Sequence, residues 1–385
     1  MRILQLGKFY PIRGGVEKVM YDLTSGLSSR GILCDMLCAS TEGQDAGTFT
    51  LNGFGRLIVV PTLIKVAATM ISPSMVTTLR KIAGSYDIIH IHHPDPMACL
   101  ALWLSGYKGK VVLHWHADIL KQKTLLKLYG PLQNWLIKRA DIIVGTTPVY
   151  VKESPFLQHV RHKLSYIPIG VSQTLADDDV VQSVRKRYPG KSLIFSLGRL
   201  VAYKGYEYLI RAAALLPSEC QVLIGGKGPL HDTLTKLIAE LGVNDRVTLL
   251  GFLPDEHIPS YFAASDIFCL SSIWKTEAFA IVQIEAMAFG VPVVSTDIPG
   301  SGVSWVNKNG KSGLVVEPEN AVALADAISR ICGDSHLKER LKQGSRDRYT
   351  QYFTDKNMLD TCQTVYRKLL DKFPDIPVPS RENDC

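Results

Sequence analysis

The sequence predicts an α/β protein built as two doubly wound, parallel-sheet domains with a cleft between them. Short apolar runs rich in Val and Ile alternate with helix-length amphipathic runs in both halves, as parallel strands joined by crossover helices do. Composition turns polar and charged between residues 172 and 191, which separates the two alternations. The residue types that carry chemistry follow strands, where open α/β sheets place their ligands. With 385 residues, 46% of them hydrophobic and 21% charged, the chain is long enough for two cores. The division expected is 1–171, a linker 172–191, 192–354, and a C-terminal helix and tail 355–385, the helix packing back toward the first domain.

In the first domain, Arg2 to Leu6 reads as a buried strand, followed by a helical pattern to Ser29 that Gly31 stops. Between them lies Gly14-Gly15, where such sheets bring backbone close to a ligand, although a lone glycine pair is equally a plain turn. Ile32 to Cys38 is a second strand, and Thr41 to Gly55 a loop or hairpin. Asp87-Ile-Ile-His-Ile-His-His-Pro94 and Lys110-Val-Val-Leu-His-Trp-His-Ala-Asp118 are strands that end in histidines. Five histidines there raise a metal, but strand side chains alternate faces and no carboxylate or Cys lies at ligand spacing, so no metal is expected. A single histidine at a strand end, His116, is the better candidate for chemistry. Leu120 to Arg139 is a helix carrying Lys121, Lys123, Lys127, Lys138 and Arg139 beside Leu and Trp. Such a helix either lies on an anionic membrane surface or covers the sheet with a solvated basic edge. Asp141 to Val144 and Leu164 to Ile167 complete the domain.

Asp177-Asp178-Asp179 in the linker could hold a divalent cation, but without a flanking apolar strand the pattern reads as a solvated loop. The second alternation begins at Ser192 to Leu197 and continues through the helix Tyr206 to Leu216, the strand Gln221 to Ile224, the helix Pro229 to Leu241 and the strand Val247 to Leu250. The turn Gly198-Arg199 to Lys204-Gly205 puts an Arg and a Lys between strand and helix, a fork and a point charge suited to a diphosphate. Gly226-Lys227-Gly228 occupies the same place after the next strand. Asp266 to Leu270 leads through a Ser-rich turn into an Ala-rich, almost wholly apolar helix that Gly290 ends. Glu285 sits inside that helix with no base three or four residues away, so it needs a partner from elsewhere or from a ligand. Glu277 lies eight residues earlier, about 80° round a helix and roughly 12 Å along it. The free N–H groups of the helix start between them suit a phosphate. Helices Glu319 to Cys332, Ser335 to Thr350 and Asp355 to Lys372 close the chain.

The net charge of +7 is too small to argue for nucleic acid. Eight scattered cysteines suggest a reducing cytoplasm. No leader is evident before the first strand, and no apolar run is long enough to span a bilayer.

Taken together, Gly14-Gly15-Val-Glu, Asp87-Ile-Ile-His-Ile-His, His116-Ala-Asp118-Ile, Gly198-Arg199 with Lys204-Gly205, Gly226-Lys-Gly-Pro229 and Glu277-Ala-Phe-x3-Gln-Ile-Glu285-Ala-Met-Ala-x-Gly290 resemble the family 4 retaining glycosyltransferases of the GT-B fold, from residue 1 to about 370. The resemblance implies that Arg199 and Lys204 hold a donor diphosphate and that Glu285 binds ribose hydroxyls. It implies that Glu277 contacts the transferred sugar, with the backbone of Ala278, Phe279, Ala280 and Ile281 near phosphate and sugar. Gly14, Gly15, Gly226 and Gly228 would line the donor site, and His116 would meet the sugar at the reaction centre. Catalysis would rest on His116, Glu277, Arg199 and Lys204, with no metal or other cofactor. Two departures stand out: Ala280 where the family often has Gly, and Pro168-Ile169-Gly170 where it often has Asn-Gly after the Pro.

The Glu277 to Glu285 context and the stretch His116 to Lys123 are similar to those of bacterial polysaccharide mannosyltransferases. That implies GDP-mannose as donor and a lipid-linked O-antigen or capsule glycan as acceptor. It also implies peripheral attachment to the inner face of the plasma membrane, and allows a complex with other polysaccharide-assembly enzymes. UDP-sugar transferases and a GT-B epimerase are the alternatives.

Overall fold

The computed structural model describes residues 1–12, 14–41, 45–66, 69–119 and 123–370. The first domain holds β1 (Arg2–Tyr10), β2 (Leu33–Ser40), β3 (Gly47–Asn52), β4 (Gly55–Val60), β5 (Ile64–Val66), β6 (Thr69–Ile71), β7 (Ile88–His93), β8 (Lys110–Trp115), β9 (Ile142–Gly145) and β10 (Leu164–Tyr166). Eight of these form one sheet in the order β10-β9-β8-β7-β1-β2-β4-β3, parallel except at the β3–β4 hairpin. The second domain holds β11 (Ser192–Leu197), β12 (Cys220–Gly225), β13 (Val247–Gly251), β14 (Ile267–Leu270), β15 (Val293–Thr296) and β16 (Gly313–Val316), ordered β13-β12-β11-β14-β15-β16 and parallel throughout. The chain order doubles back at β1 and at β11, so each sheet is doubly wound and the C-terminal ends of its parallel strands lie on one side.

The first helix, Gly15–Ser29, buries Val19, Met20, Leu23 and Leu27, one stripe at helical spacing. It stops where Gly31 takes φ 77° and the Ile32 N–H turns back to the Leu27 carbonyl. The final helix, Asp355–Leu370, buries Met358, Leu359, Cys362, Val365 and Tyr366 in the same way. It crosses back to the first domain, where Arg30 and Asp360 pair at 2.7 Å and Tyr366 reaches Gln5 on β1. One apolar cluster therefore runs from Ile3 and Leu23 through Val365 and Phe353 to Leu193 and Ile284, joining the two domain cores.

One finding differs from the sequence reading, and a second gives a structural reason for a residue it singled out. The stretch 172–191 is not all linker, because it holds the helix Asp178–Arg187. The Asp177 carboxylate caps that helix by accepting from the N–H groups of Asp179 and Val180, so the three aspartates mark a helix start. Acids in its first turn and Arg185, Lys186 and Arg187 in its last complement the helix dipole. The second concerns Gly170. A side chain there would meet the Thr354 carbonyl oxygen at 2.2 Å, because the outgoing and returning chains cross backbone to backbone. Val171 bridges to Thr354 beside the crossing, and its N–H bonds the Phe353 carbonyl at 2.9 Å.

Candidate active site

Side chains gather where the C-terminal ends of both sheets meet. On the second domain, the turn after β11 is clamped to the turn after β14. Gly205, at φ 61°, lies so close that a Cβ would come 2.2 Å from the Ser271 carbonyl oxygen. Ser271 Oγ donates to the Lys204 carbonyl and the Ile273 N–H to that of Tyr203. This clamp turns the buried Lys204 ammonium inward onto Glu277 Oε2 at 2.5 Å, which also accepts from Ser272 Oγ at 2.9 Å. Arg199, on the same turn, is exposed. Gly226 and Gly228 follow β12, and a side chain on either would strike the backbone of Gly198 or Leu200, so their need for glycine comes from this loop packing.

The helix after β14 spans Ile281–Ala288 and is shorter than the sequence suggested, so Glu277 belongs to the loop before it. Ala280 caps that helix at φ 60° and ψ 78°, left-handed backbone that a β-carbon disfavours. This chain therefore holds an Ala in the glycine conformation. The Phe279 ring packs edge-on against Phe353 at 6.0 Å, which leaves only its backbone for a ligand. Glu285 projects from the same helix. Among the described residues it has neither an ion pair nor a hydrogen bond, and burial raises its pKa to about 7, with Lys18 of the first helix acting against the rise and Asp255 with it.

From the first domain, Gly14 caps the first helix at φ 124° with open space around it. His90, His92, His114 and His116 share one face of β7 and the end of β8, because i and i+2 positions repeat and His92 lies opposite His114. The alternation that argued against a cluster therefore assembles one. All four are buried and stack, with ring centroids 3.9 Å apart for His114 and His116. Burial lowers their pKa values, His114 to about 3, and the charge of Lys8 adds to the effect at His92 and His116.

Nitrogens of His90, His92 and His114 lie within 4.8 Å of one another. Their rings are nearly parallel, at 11° to 29°, so their in-plane lone pairs do not converge on one ion. Both nitrogens of His92 are also engaged, by His116 and Gln5. The set does not fit a metal.

A contact across the cleft joins the two groups. Lys275, two residues before Glu277, places Nζ 3.0 Å from Oδ2 of Asp118, two residues after His116, as a charge contact without hydrogen-bond alignment. Lys275 also donates to the Glu153 carbonyl and lies over the Tyr150 ring at 5.0 Å. Asp118 is held from behind by Trp115 Nε1 and Ser154 Oγ, both on Oδ1. Sequence reading missed Lys275, Ser272 and Lys8. Lys8 is buried, with φ 62°, its N–H on Asp95 Oδ2 and its ammonium on the Pro94 carbonyl. Burial lowers its pKa, against the pull of Asp95 and Glu17.

Ala280→Gly is expected to raise stability by about 1 kcal/mol by relieving the left-handed alanine. Chemical denaturation with and without the substitution measures it, and an equal or lower stability contradicts the strain.

Comparisons with known proteins agree with this architecture. Residues 13–174 match the family model Glycosyltransferase Family 4, and residues 178–348 match Glycosyl transferases group 1. The chain is 31% identical over 374 residues to the O-antigen chain mannosyltransferase C of Escherichia coli, covering 96% of this chain and 99% of that one. It is 30% identical over 360 residues to the D-rhamnosyltransferase WbpZ of Pseudomonas aeruginosa, covering 92% of each. Among solved structures, sucrose-phosphate synthase from Thermosynechococcus elongatus superposes with a TM-score of 0.77 at 22% identity, over 96% of this chain and 99% of that one. Anabaena HepE in complex with UDP superposes at 0.75 and 20% identity, over 95% and 99%. These two likenesses speak for the fold. With the sequence match spanning nearly the whole length, the chain belongs to the group 1, family 4 retaining glycosyltransferases and has the GT-B fold.

Proposed function

We propose that this glycosyltransferase moves mannose from GDP-mannose onto a lipid-linked bacterial polysaccharide, an O-antigen or capsule glycan. The observation that carries the donor site is Glu285, a carboxylate with no ion pair or hydrogen bond among the described residues, in the helix that starts beside the buried Lys204–Glu277 pair. Glu285 takes the ribose hydroxyls, and the N–H groups at Ala278 to Ile281 with Arg199 and Lys204 take the diphosphate. Gly14 and Gly15 close over the donor, with Gly226 and Gly228 shaping the turn behind it. A glucose- or galactose-transferring UDP-sugar enzyme uses the same frame. The D-rhamnosyltransferase relative adds a D-rhamnosyl donor as a second reading.

In the transfer step the bond from the anomeric carbon to the leaving phosphate oxygen breaks, and the acceptor hydroxyl attacks the same face of the sugar. Its proton passes to that phosphate oxygen. Positive charge developing on the sugar ring is met by Glu277, and negative charge on the phosphate by Arg199, Lys204 and the helix start. His116, kept neutral by burial, accepts a hydrogen bond from a sugar hydroxyl. No metal enters the step.

Membrane contact is part of the same proposal. Exposed Leu63, Ile64, Val66, Trp103, Leu104 and Leu128 lie on the β5–β6 hairpin and the helices Pro96–Ser105 and Lys123–Arg139, which pack together. Of the basic residues expected there, Lys138 is exposed. Arg139 turns instead onto Asp141 and the carbonyls of Tyr107 and Gly109. Lys121 and the side chains of Lys123 and Lys127 lie outside the described residues. No helix among the described residues is long and apolar enough to cross a membrane, so contact would be peripheral.

A panel of nucleotide sugars, assayed with and without lipid-linked glycan primers, tests the activity. GDP-mannose is expected to bind best, chelation to leave transfer unchanged, and Lys204→Ala, Glu277→Ala and His116→Ala to lower transfer by about 100-fold or more. Production of an altered free sugar nucleotide without acceptor would identify an epimerase instead. Donor affinity should also follow Glu285. Ribose hydroxyls favour the ionised form, so affinity strengthens as pH rises through about 7, by about tenfold between pH 6 and pH 8. Glu285→Gln should flatten that profile in calorimetric titrations, and a wild-type profile already flat removes the carboxylate from the donor site. Anionic vesicles should sediment the protein at low salt; if it stays wholly soluble, the membrane proposal fails.

A further inference from the structure

Behind His116 a hydrogen-bonded chain runs to the final helix. His116 Nε2 lies 2.9 Å from His92 Nδ1, and His92 Nε2 lies 2.8 Å from Gln5 Oε1. The Gln5 Nε2 group donates to the Tyr366 hydroxyl at 2.9 Å, and that hydroxyl lies 2.6 Å from His90 Nδ1. A second donor contact of the same amide reaches Cys34 Sγ at 3.9 Å. Gln5, His90, His92 and Tyr366 are fully buried, so none of these groups can exchange its partner for bulk water.

Such a chain has a direction. An amide accepts only at oxygen and donates only at nitrogen, and a neutral imidazole carries one proton. Because Gln5 presents its oxygen to His92, the His92 proton sits on Nε2 and its Nδ1 is a lone pair. His116 must then donate from Nε2, which leaves His116 Nδ1 unprotonated. At the other end the Tyr366 hydroxyl accepts from Gln5 and also bonds His90 Nδ1. Reversing the amide would invert the tautomers of both His92 and His116.

We propose that Gln5, anchored by Tyr366 of the final helix, is a positioning residue that holds His116 as its Nε2–H tautomer and so leaves a lone pair at Nδ1 for a sugar hydroxyl. The sugar contact rests on the reading of His116 given above; the tautomer does not. Residue 5 and residue 366 thus meet at one amide, and the seating of the final helix sets what His116 offers to a ligand.

The test uses the full chain with 15N-labelled histidine and two-bond 15N–1H correlation spectra, His116 being assigned by its loss in His116→Gln. In the wild type, His116 is expected to show a protonated Nε2 and an unprotonated Nδ1. Tyr366→Phe, which removes one oxygen from a retained ring, and Gln5→Met are expected to turn this into a mixture of tautomers. With a donor panel in hand, kcat for transfer should fall roughly tenfold at unchanged donor KM, the mild end of what losing a ring-orienting partner costs. A protonated Nδ1 in the wild type, or an unchanged His116 signal in the folded Tyr366→Phe protein, overturns the proposal. If the tautomer shifts as expected while kcat does not move, the positioning stands and the role given to His116 in transfer falls.

Discussion

The buried pair of Lys204 and Glu277 ties together the two strand-end turns on which the second domain's part of the candidate site stands. Two charges removed from water are tolerated only when each is closely answered, and losing one partner of such a pair costs about 3–5 kcal/mol. Here the answer is built by two strand-end turns locked to each other through Ser271, Ser272 and Gly205. The turn that carries Arg199 and the loop that leads to the Glu285 helix are therefore one rigid unit. The pair also changes the electrostatics that residue types alone suggest. Lys204 is already neutralised by Glu277, so under the proposed function an anion would meet fewer free positive charges than the Arg and Lys imply, and oriented backbone N–H groups would take a larger share.

Lys275 and Asp118 carry this rigidity across the cleft. Each sits two residues from a member of the candidate site, Glu277 on one side and His116 on the other. Asp118 is itself braced by Trp115 and Ser154, so it acts as a fixed post to which the second domain is tied. Opening the cleft for a nucleotide would strip that carboxylate of its counter-charge, which biases the empty protein toward closeness. The continuous apolar cluster beneath, through Phe353 and the final helix, acts in the same sense.

Much of the architecture is legible in the chain because parallel strands buried on both faces leave near-continuous apolar runs, as at Leu193 to Leu197, and helices leave stripes. Glu285 was equally readable, being a carboxylate in an apolar helix with nothing local to pair it. What escaped is what depends on pairing between distant strands. The histidine stack exists because the register sets His92 against His114, and no local signal encodes that register. Asp177 to Asp179 looked like a solvated loop because their capping geometry appears only once the helix is present. Gln5 looked like an ordinary strand residue, since its partners come from β7 and from a helix near the far end of the chain. Ala280 departs from the glycine that the resemblance implies, and its backbone takes the left-handed conformation that glycine favours.

The crossing at Gly170 and Thr354 bears on how the halves can move. Two adjacent strands of backbone, touching without an intervening side chain, make a double strap rather than a swivel. A double strap bends readily about one line and resists rotation about its own length. Any rocking of the lobes would be steered into a single plane, so each opening would return the facing loops of the candidate site to the same mutual alignment.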